Sequence, residues 1–369
     1  MGKGKSKATR RRSAPKVIGG SPTAPSASTA GAPLSSVAAS AGYGTWGPLT
    51  PELQQAAENY NTKAEQIVTK FLGKFETVPA PARIYHYTDG TGLRGILQAG
   101  QLWFSDIFNL NDPSELRYGV EPAKAIFYAE ATSASVVNSP EVQRFANNLS
   151  AMLAGGIEEV AHLFVCCFSS ADDDLGQWRA YADNGRGFAM GFDGPMLENG
   201  FAKPGGVPVV NNMTFPVTYG DIQLRAIQTE LIREVIPAIL HPRRSSIAVH
   251  GRILDTFWGE LLITLALQIL RAALFFKHGA YTNEAEYRFM QLFQRGPVPD
   301  LRYRSRPYSL VRFREFDWRR AAPNALKEIV IGPAADKRIT ERFVSDCLRA
   351  FQPGGGVLIR PSDIPYRVP

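Results

Sequence analysis

The sequence predicts an α+β fold: a mixed, split β-sheet with flanking helices, a central helical insertion at about 222–277 and a disordered basic N-terminal tail. Three observations carry this. Short β-branched and aromatic runs of strand length recur from Ile84 to Arg360, with helical stretches between them. Helical patterning dominates from about 222 to 277. Residues 1–45 show no apolar periodicity and are rich in Ser, Ala, Pro, Gly and basic residues.

Such a tail cannot bury enough surface to offset its ordering entropy. It holds Lys3, Lys5, Lys7, Arg10, Arg11, Arg12 and Lys16, and no acid precedes Glu52. These cations account for the whole formal charge of +7, because the remaining 34 basic residues match the 34 acidic ones. Attraction to nucleic acid or an anionic surface is therefore expected through residues 1–16, not through a folded face. The tail lacks the apolar run of a secretory signal. Cys166, Cys167 and Cys347 have neither bridge nor metal spacing, which points to a reducing, cytoplasmic setting. Five scattered histidines give no reason to expect a metal site.

After the tail, 46–78 reads as a lead-in helix and 79–369 as a single α+β domain. Thr50-Pro-Glu-Leu is a helix start, and apolar positions from Leu53 to Phe71 keep helical spacing. Ile84–Thr88 is a strand, Gly92–Ala99 a short helix closed by Gly100, and Leu102–Ser105 a second strand. Asn109–Glu115 is expected to be a rigid polar loop without regular structure. Helices follow at 121–132 and 139–153. Leu163–Phe168 is continuously apolar, so it should be central and covered on both faces. Leu175–Ala182 is a helix, Phe188–Phe192 a strand, and Val209–Tyr219 one or two edge strands.

The apolar run Leu261–Phe276 carries Gln268 and Arg271 and is shorter than the roughly 20 residues a bilayer needs, so a buried core helix is expected, not a membrane span. Tyr281–Phe293 reads as a strand entered through a polar turn, with Glu284, Glu286, Arg288 and Met290 on one face. Arg302–Arg306 and Val311–Phe316 read as a strand pair with Arg on its outer side. Ile329–Gly332, Asp336–Ala350 and Val357–Arg360 complete the fold as strand, helix and strand.

Several groups could carry chemistry. His86 and Thr88 lie on a strand leading into a Gly-containing turn, where a ring nitrogen could be aimed at a ligand; a buried histidine bonded to backbone is the alternative. Asn111, Asp112 and Glu115 could contact substrate or cap the next helix. Trp178, Arg179 and Tyr181, at helical spacing, could be a cofactor platform, although the aromatic part is more often core. Arg186, between Gly185 and Gly187, suits a phosphate or carboxylate. Glu284 and Glu286 could line a cleft, although Glu286 with Arg288 also reads as a surface ion pair. Dinucleotide-fold, phosphate-loop and nucleophile-elbow motifs are all missing.

The order of His86-Tyr-Thr, Gly95–Ser105, Asn111–Glu115, Cys167-Phe-Ser, Trp178–Ala182, Gly187–Phe192, Glu284–Arg288 and Ile329-Val-Ile-Gly-Pro resembles the largely bacterial domain of unknown function 2971, over about 83–366. More distantly, a strand His, a second strand and a late strand bearing Glu resemble the ADP-ribosyltransferase superfamily. That resemblance implies NAD as substrate, with Glu286 as the catalytic carboxylate and Glu284 orienting the acceptor. It also implies that His86, with Tyr87 and Thr88, and Ser105 or a nearby aromatic contact the cofactor, with Arg186 at the pyrophosphate. Glu286→Gln is then expected to abolish NAD turnover and leave folding intact. A non-catalytic nucleic-acid or protein-binding module, using the tail and the Arg-rich 302–320 segment, and a hydrolase of another glycosidic or phosphoester substrate are the other expectations.

Overall fold

A computed structural model describes residues 48–366 apart from 77, 110–112, 157, 159–160, 205–211, 245–250, 295, 307–308 and 353–355. The basic tail, Asn111 and Asp112 lie outside the described residues.

The sheet is built on β3 (Ala161–Ser169), the continuously apolar run. One edge of β3 is bonded along its whole length, antiparallel, to β8 (Glu286–Gln294). Its other edge is shared. β1 (Arg83–Thr88) meets it at Tyr85–Ser169, and β2 (Gln101–Asp106) meets it at Ser105–Val165 and Asp106–Phe164. Two strands cannot occupy one edge side by side, so β1 and β2 part and the sheet splits over β3. Beyond β1 lie β4 (Phe188–Asp193), β11 (Leu326–Ile331) and β12 (Leu358–Pro361), the last two parallel. Beyond β2 lie β10 (Ser309–Asp317) and β9 (Arg302–Arg306), while β5 (Asn212–Pro216) extends β8. Apart from this sheet, β6 (Thr218–Tyr219) and β7 (Phe276–Lys277) form a parallel pair.

Strand alternation gives β3 two apolar faces. Leu163 and Val165 join Met290 and five helices, Pro51–Glu76, Pro122–Ser133, Pro140–Ala151, Ile222–Ile239 and Arg252–Ala273, in one core. Phe164 and Phe168 join Phe289, Trp318 and the helices Gly90–Ala99, Gly194–Ala202 and Lys337–Phe351 in a second. The expected central position of β3 is what the fold has. The helix expected only to lead in buries Leu53, Ala57, Tyr60, Ala64, Val68 and Leu72 in the first core, so it is an integral layer. Arg252–Ala273 is long and apolar enough to cross a membrane, but in this fold its Leu261–Ala266 stretch is buried, and Gln268 and Arg271 both reach Glu65.

Three local expectations need correction. The segment read as an irregular loop enters a helix at Pro113, running to Val120; a proline costs nothing at a first helical position. Glu284 is not on a strand. It ends a 3-10 turn, Gly279–Glu284, and Ala285 with φ 43° breaks the chain direction before β8 begins. The arginines of β10 do not all face outward: Arg312 pairs with the fully buried Asp106, and Arg314 donates to Gln291.

Candidate active site

Where β1 and β2 part, a cleft of about 240 Å³ opens over β3. Val165, Cys167 and Ser169 are on its floor, Tyr85 and Tyr87 on the β1 wall, Trp103 and Ser105 on the β2 wall. Glu115, Tyr181, Lys277, Glu284 and Glu286 close one end. Short elements deliver these last groups: the turn of helix after Pro113, the helix Leu175–Tyr181 capped by Asp174, the two-residue β7, the 3-10 turn Gly279–Glu284 and the start of β8.

That end is an ion cluster. Lys277, only 2% exposed, places Nζ 2.6 Å from Glu115, 2.5 Å from Glu284 and 3.2 Å from Glu286. Arg288 grips both Glu286 oxygens, at 2.6 Å through Nε and 3.1 Å through Nη2. It also donates to Glu115 at 2.9 Å and to the Leu274 carbonyl at 2.9 Å. Three carboxylates face two cations, leaving one negative charge in excess. Glu286–Arg288, read from sequence as a surface pair, is therefore a buried one. Removing the Glu286 charge costs about 3–5 kcal/mol, because the buried Arg288 loses its two-point partner and keeps only Glu115 among carboxylates. The expectation that Glu286→Gln leaves folding untouched is corrected on that ground.

The bend at Ala285 makes the two acids converge. A regular strand would space Glu284 and Glu286 along one face; left-handed Ala285 instead turns both toward Lys277. The bend is held by Ser169 Oγ donating to the Glu284 carbonyl at 2.6 Å and Ser170 N–H to the Ala285 carbonyl at 2.9 Å. A left-handed alanine costs about 1–3 kcal/mol, strain that persists only where the surroundings enforce it.

The environments of the two acids differ. Burial works against charge on Glu286, but Arg288 and Lys277 outweigh it and bring the carboxyl down to about 2. Glu284 is pushed up by burial, which Lys277 only partly offsets. Its side chain is 18% exposed against 6% for Glu286. Each Glu284 oxygen has one partner, Tyr181 Oη at 3.3 Å and Lys277, so lone pairs remain for a ligand. Burial, then Glu286, pushes the Cys167 thiol well up, so it stays a neutral donor to Glu286.

His86 lines the cleft by an indirect route. Alternation along β1 turns it away from Tyr85 and Tyr87, and its ring lies 5.7 Å from Phe168, on the far side of the sheet from Glu286. The β1–β3 ladder stops at Tyr85–Ser169, and the ring fills the gap, donating Nδ1–H to the Cys167 carbonyl at 3.1 Å. Burial holds this imidazole below its ordinary range, so it is neutral with Nε2 left as the acceptor.

Of the residues expected from sequence, Glu286, Glu284, Tyr87, Ser105 and Glu115 come together in the cleft, while His86 borders it with its ring turned to the other face of the sheet. Thr88, Trp178 and Arg186 do not line the cleft. Trp178 is buried behind Tyr87, 4.9 Å between ring centres, and donates Nε1–H to Asp173 at 2.6 Å. Arg186 faces Asp183 at 3.7 Å, and its flanking glycine serves packing: a Cβ on Gly187 would meet the Thr88 carbonyl at 2.3 Å. The sequence reading missed Lys277 and Trp103, and it grouped Tyr181 with Trp178, of which only Tyr181 lines the cleft. Lys277 had a signal, a lone cation directly after the buried Phe275 and Phe276, since a buried ammonium needs acids. Alternation also places Trp103 on the same face as Ser105.

The geometry defines a carboxylate-rich cleft in a split sheet. Residues 177–289 match the family described as protein of unknown function (DUF2971), so the resemblance to that family holds over this stretch. It includes Tyr181, Lys277, Glu284, Glu286 and Arg288, and leaves His86, Trp103, Ser105 and Glu115 outside. No curated protein and no solved structure matches the chain.

Proposed function

We propose that the cleft takes NAD and cleaves the bond between nicotinamide and ribose, passing ADP-ribose to an acceptor or to water. The observation that carries this is the pair Glu284 and Glu286, which share Lys277 in one cleft while their surroundings push the two carboxyls in opposite directions. Opposed carboxyls give a site one fixed charge and one proton carrier. As the C–N bond breaks, its electron pair leaves with nicotinamide, and positive charge builds on the ribose. Glu286, ionised throughout, stabilises that charge. The acceptor's oxygen or nitrogen then bonds to the ribose carbon, and its proton passes to Glu284.

Tyr181, 42% exposed with its hydroxyl on Glu284, offers a flat face for the nicotinamide ring. The ribose contact that the ADP-ribosyltransferase resemblance gives to His86 is not part of this reading, because the His86 ring packs against Phe168 across the sheet from Glu286. The Arg-rich strands favour nucleic acid less, since Arg302 is bound to Glu315 and Arg312 to Asp106.

The test is nicotinamide release from NAD, followed by chromatography, for the full chain and two variants. Glu284→Gln should lower kcat by about a hundredfold, in the range of general-base loss, with only a small fall in Tm because Lys277 keeps two carboxylates. Glu286→Gln should lose turnover and also melt markedly earlier. Wild-type release rates from a natively folded Glu284→Gln, or no release from the wild type, would end this reading.

A further inference from the structure

We infer that His278 is a positioning residue for the acid end of the cleft, holding the turn that carries Glu284 while its ring is neutral and releasing it on protonation. The inference rests on the NAD reading only for the activity that reports it.

The turn Gly279–Glu284 is a 3-10 stretch with no buried residue, so packing does not place it. Its exit is tied to β3, where Ser169 Oγ donates to the Glu284 carbonyl. Its entrance is tied by His278 at two atoms. The His278 carbonyl accepts from Tyr281 N–H at 3.0 Å, and the imidazole Nδ1 accepts from Ala280 N–H at 3.1 Å. A backbone amide can only donate, so Nδ1 carries the lone pair and the ring is the neutral Nε2–H tautomer. The same ring stands edge-on to Tyr118, 5.2 Å between ring centres, three residues beyond Glu115 on the helix Pro113–Val120. His278 thus touches the carriers of both Glu115 and Glu284, and it directly follows Lys277, the cation those acids share.

Protonation undoes the entrance tie. An imidazolium has two N–H groups and no lone pair, so it cannot accept from Ala280. Imidazole is the side chain that takes up a proton in mildly acidic water, and His278 is exposed to it. Among the groups around the ring, Tyr118 stays a neutral phenol, raised by burial. Lys277 and Glu284, on the same stretch of chain, are bound to each other. Asp221, just before the helix Ile222–Ile239, is a carboxylate: its bond to Arg225, and with it a charge on His278, hold it below its ordinary range. An imidazolium therefore gives up the Ala280 N–H and turns to Asp221. Lys277 and Ser169 still hold Glu284, so the turn loosens and does not collapse.

The experiment measures nicotinamide release from NAD between pH 5 and pH 8, with hydrogen exchange of residues 279–285 by mass spectrometry, for the full chain, His278→Asn and His278→Ala. Asparagine caps through an amide oxygen that does not titrate. At pH 8, His278→Ala should lower kcat about fivefold, the worth of one cap, with KM nearly unchanged, and His278→Asn should restore most of it. Glu284 gives all three proteins a common acid limb, so the ratio of wild type to His278→Asn isolates the histidine. That ratio should fall toward the His278→Ala level as pH drops from 8 to 5. Residues 279–285 should exchange alike in wild type and His278→Asn at pH 8, and faster in wild type at pH 5. A ratio independent of pH, or exchange alike at both pH values, would overturn the inference, since a merely structural cap gives both. Should the wild type leave NAD intact, the proposed function fails and exchange decides alone: loosening at pH 5 that His278→Asn lacks upholds the role of His278, and equal exchange overturns it.

Discussion

Glu286 and Glu260 depart from an ordinary glutamate in opposite directions, and stability must follow both. Burial, reinforced by Glu58, lifts Glu260 to about 7. The folded state therefore holds a proton there that the unfolded chain gives up above about 4.5, and stability rises as pH falls from 7 to 4.5. Glu286 behaves conversely. With its folded value at about 2 against 4.5, its contribution is complete above 4.5 and is lost as pH falls toward 2. That loss is on the order of 3 kcal/mol. Glu260→Gln should raise the urea midpoint most at pH 7, and the gain should vanish as pH falls to about 4.5, because the buried neutral His86 gives wild type and variant the same opposite slope below 6.5. A gain that stays constant between pH 7 and 4.5 would contradict the assignment. At this scale the sequence showed the acids more clearly than their partners. Glu284, Glu286 and Glu115 stand out as residues, but what distinguishes them is the shared Lys277, brought in by a two-residue strand too short to have a period.

Among the elements, the short helix Pro113–Val120 is the one on which the cleft depends most directly. It carries Glu115 to Lys277 and Arg288 and is pressed against the helix Arg252–Ala273 at Gly119. A Cβ on Gly119 would come within 2.5 Å of the Ala273 Cβ and 3.0 Å of its Cα. Gly119→Ala should therefore cost about 1–3 kcal/mol, the range of overpacking, although alanine favours a helix. Because the displaced helix takes Glu115 with it, nicotinamide release should fall as well as Tm; an unchanged Tm would show that the contact yields freely. The sequence reads as a loop here because Asn, Asp, Pro and Ser at 111–114 are all turn formers, and only the packing of the helix decides otherwise. The strands were easier, since β3, β4 and β11 carry period or apolar runs that do not depend on tertiary context.

Across the whole molecule, a truncated chain lacking residues 46–78 should fail to fold, because Leu53, Tyr60, Val68 and Leu72 would leave a hole in the first core. A cooperative thermal transition in that truncated protein would show the helix to be dispensable. The α+β architecture and its central strand could be read from pattern. The pairing could not, because nothing local says that residues 161–169 meet 286–294, or that 101–106 meet 309–317. That same pairing dictates a timetable. β3 leaves the ribosome more than a hundred residues before its long partner β8, and β2 waits about two hundred for β10. Until then β2 has only its two-residue bridge to β3, and both strands offer unpaired apolar edges. The cleft is thus among the last things the chain can complete, and ribosome-bound nascent chains stopped before residue 286 should be cut by protease within β3 where the finished protein resists.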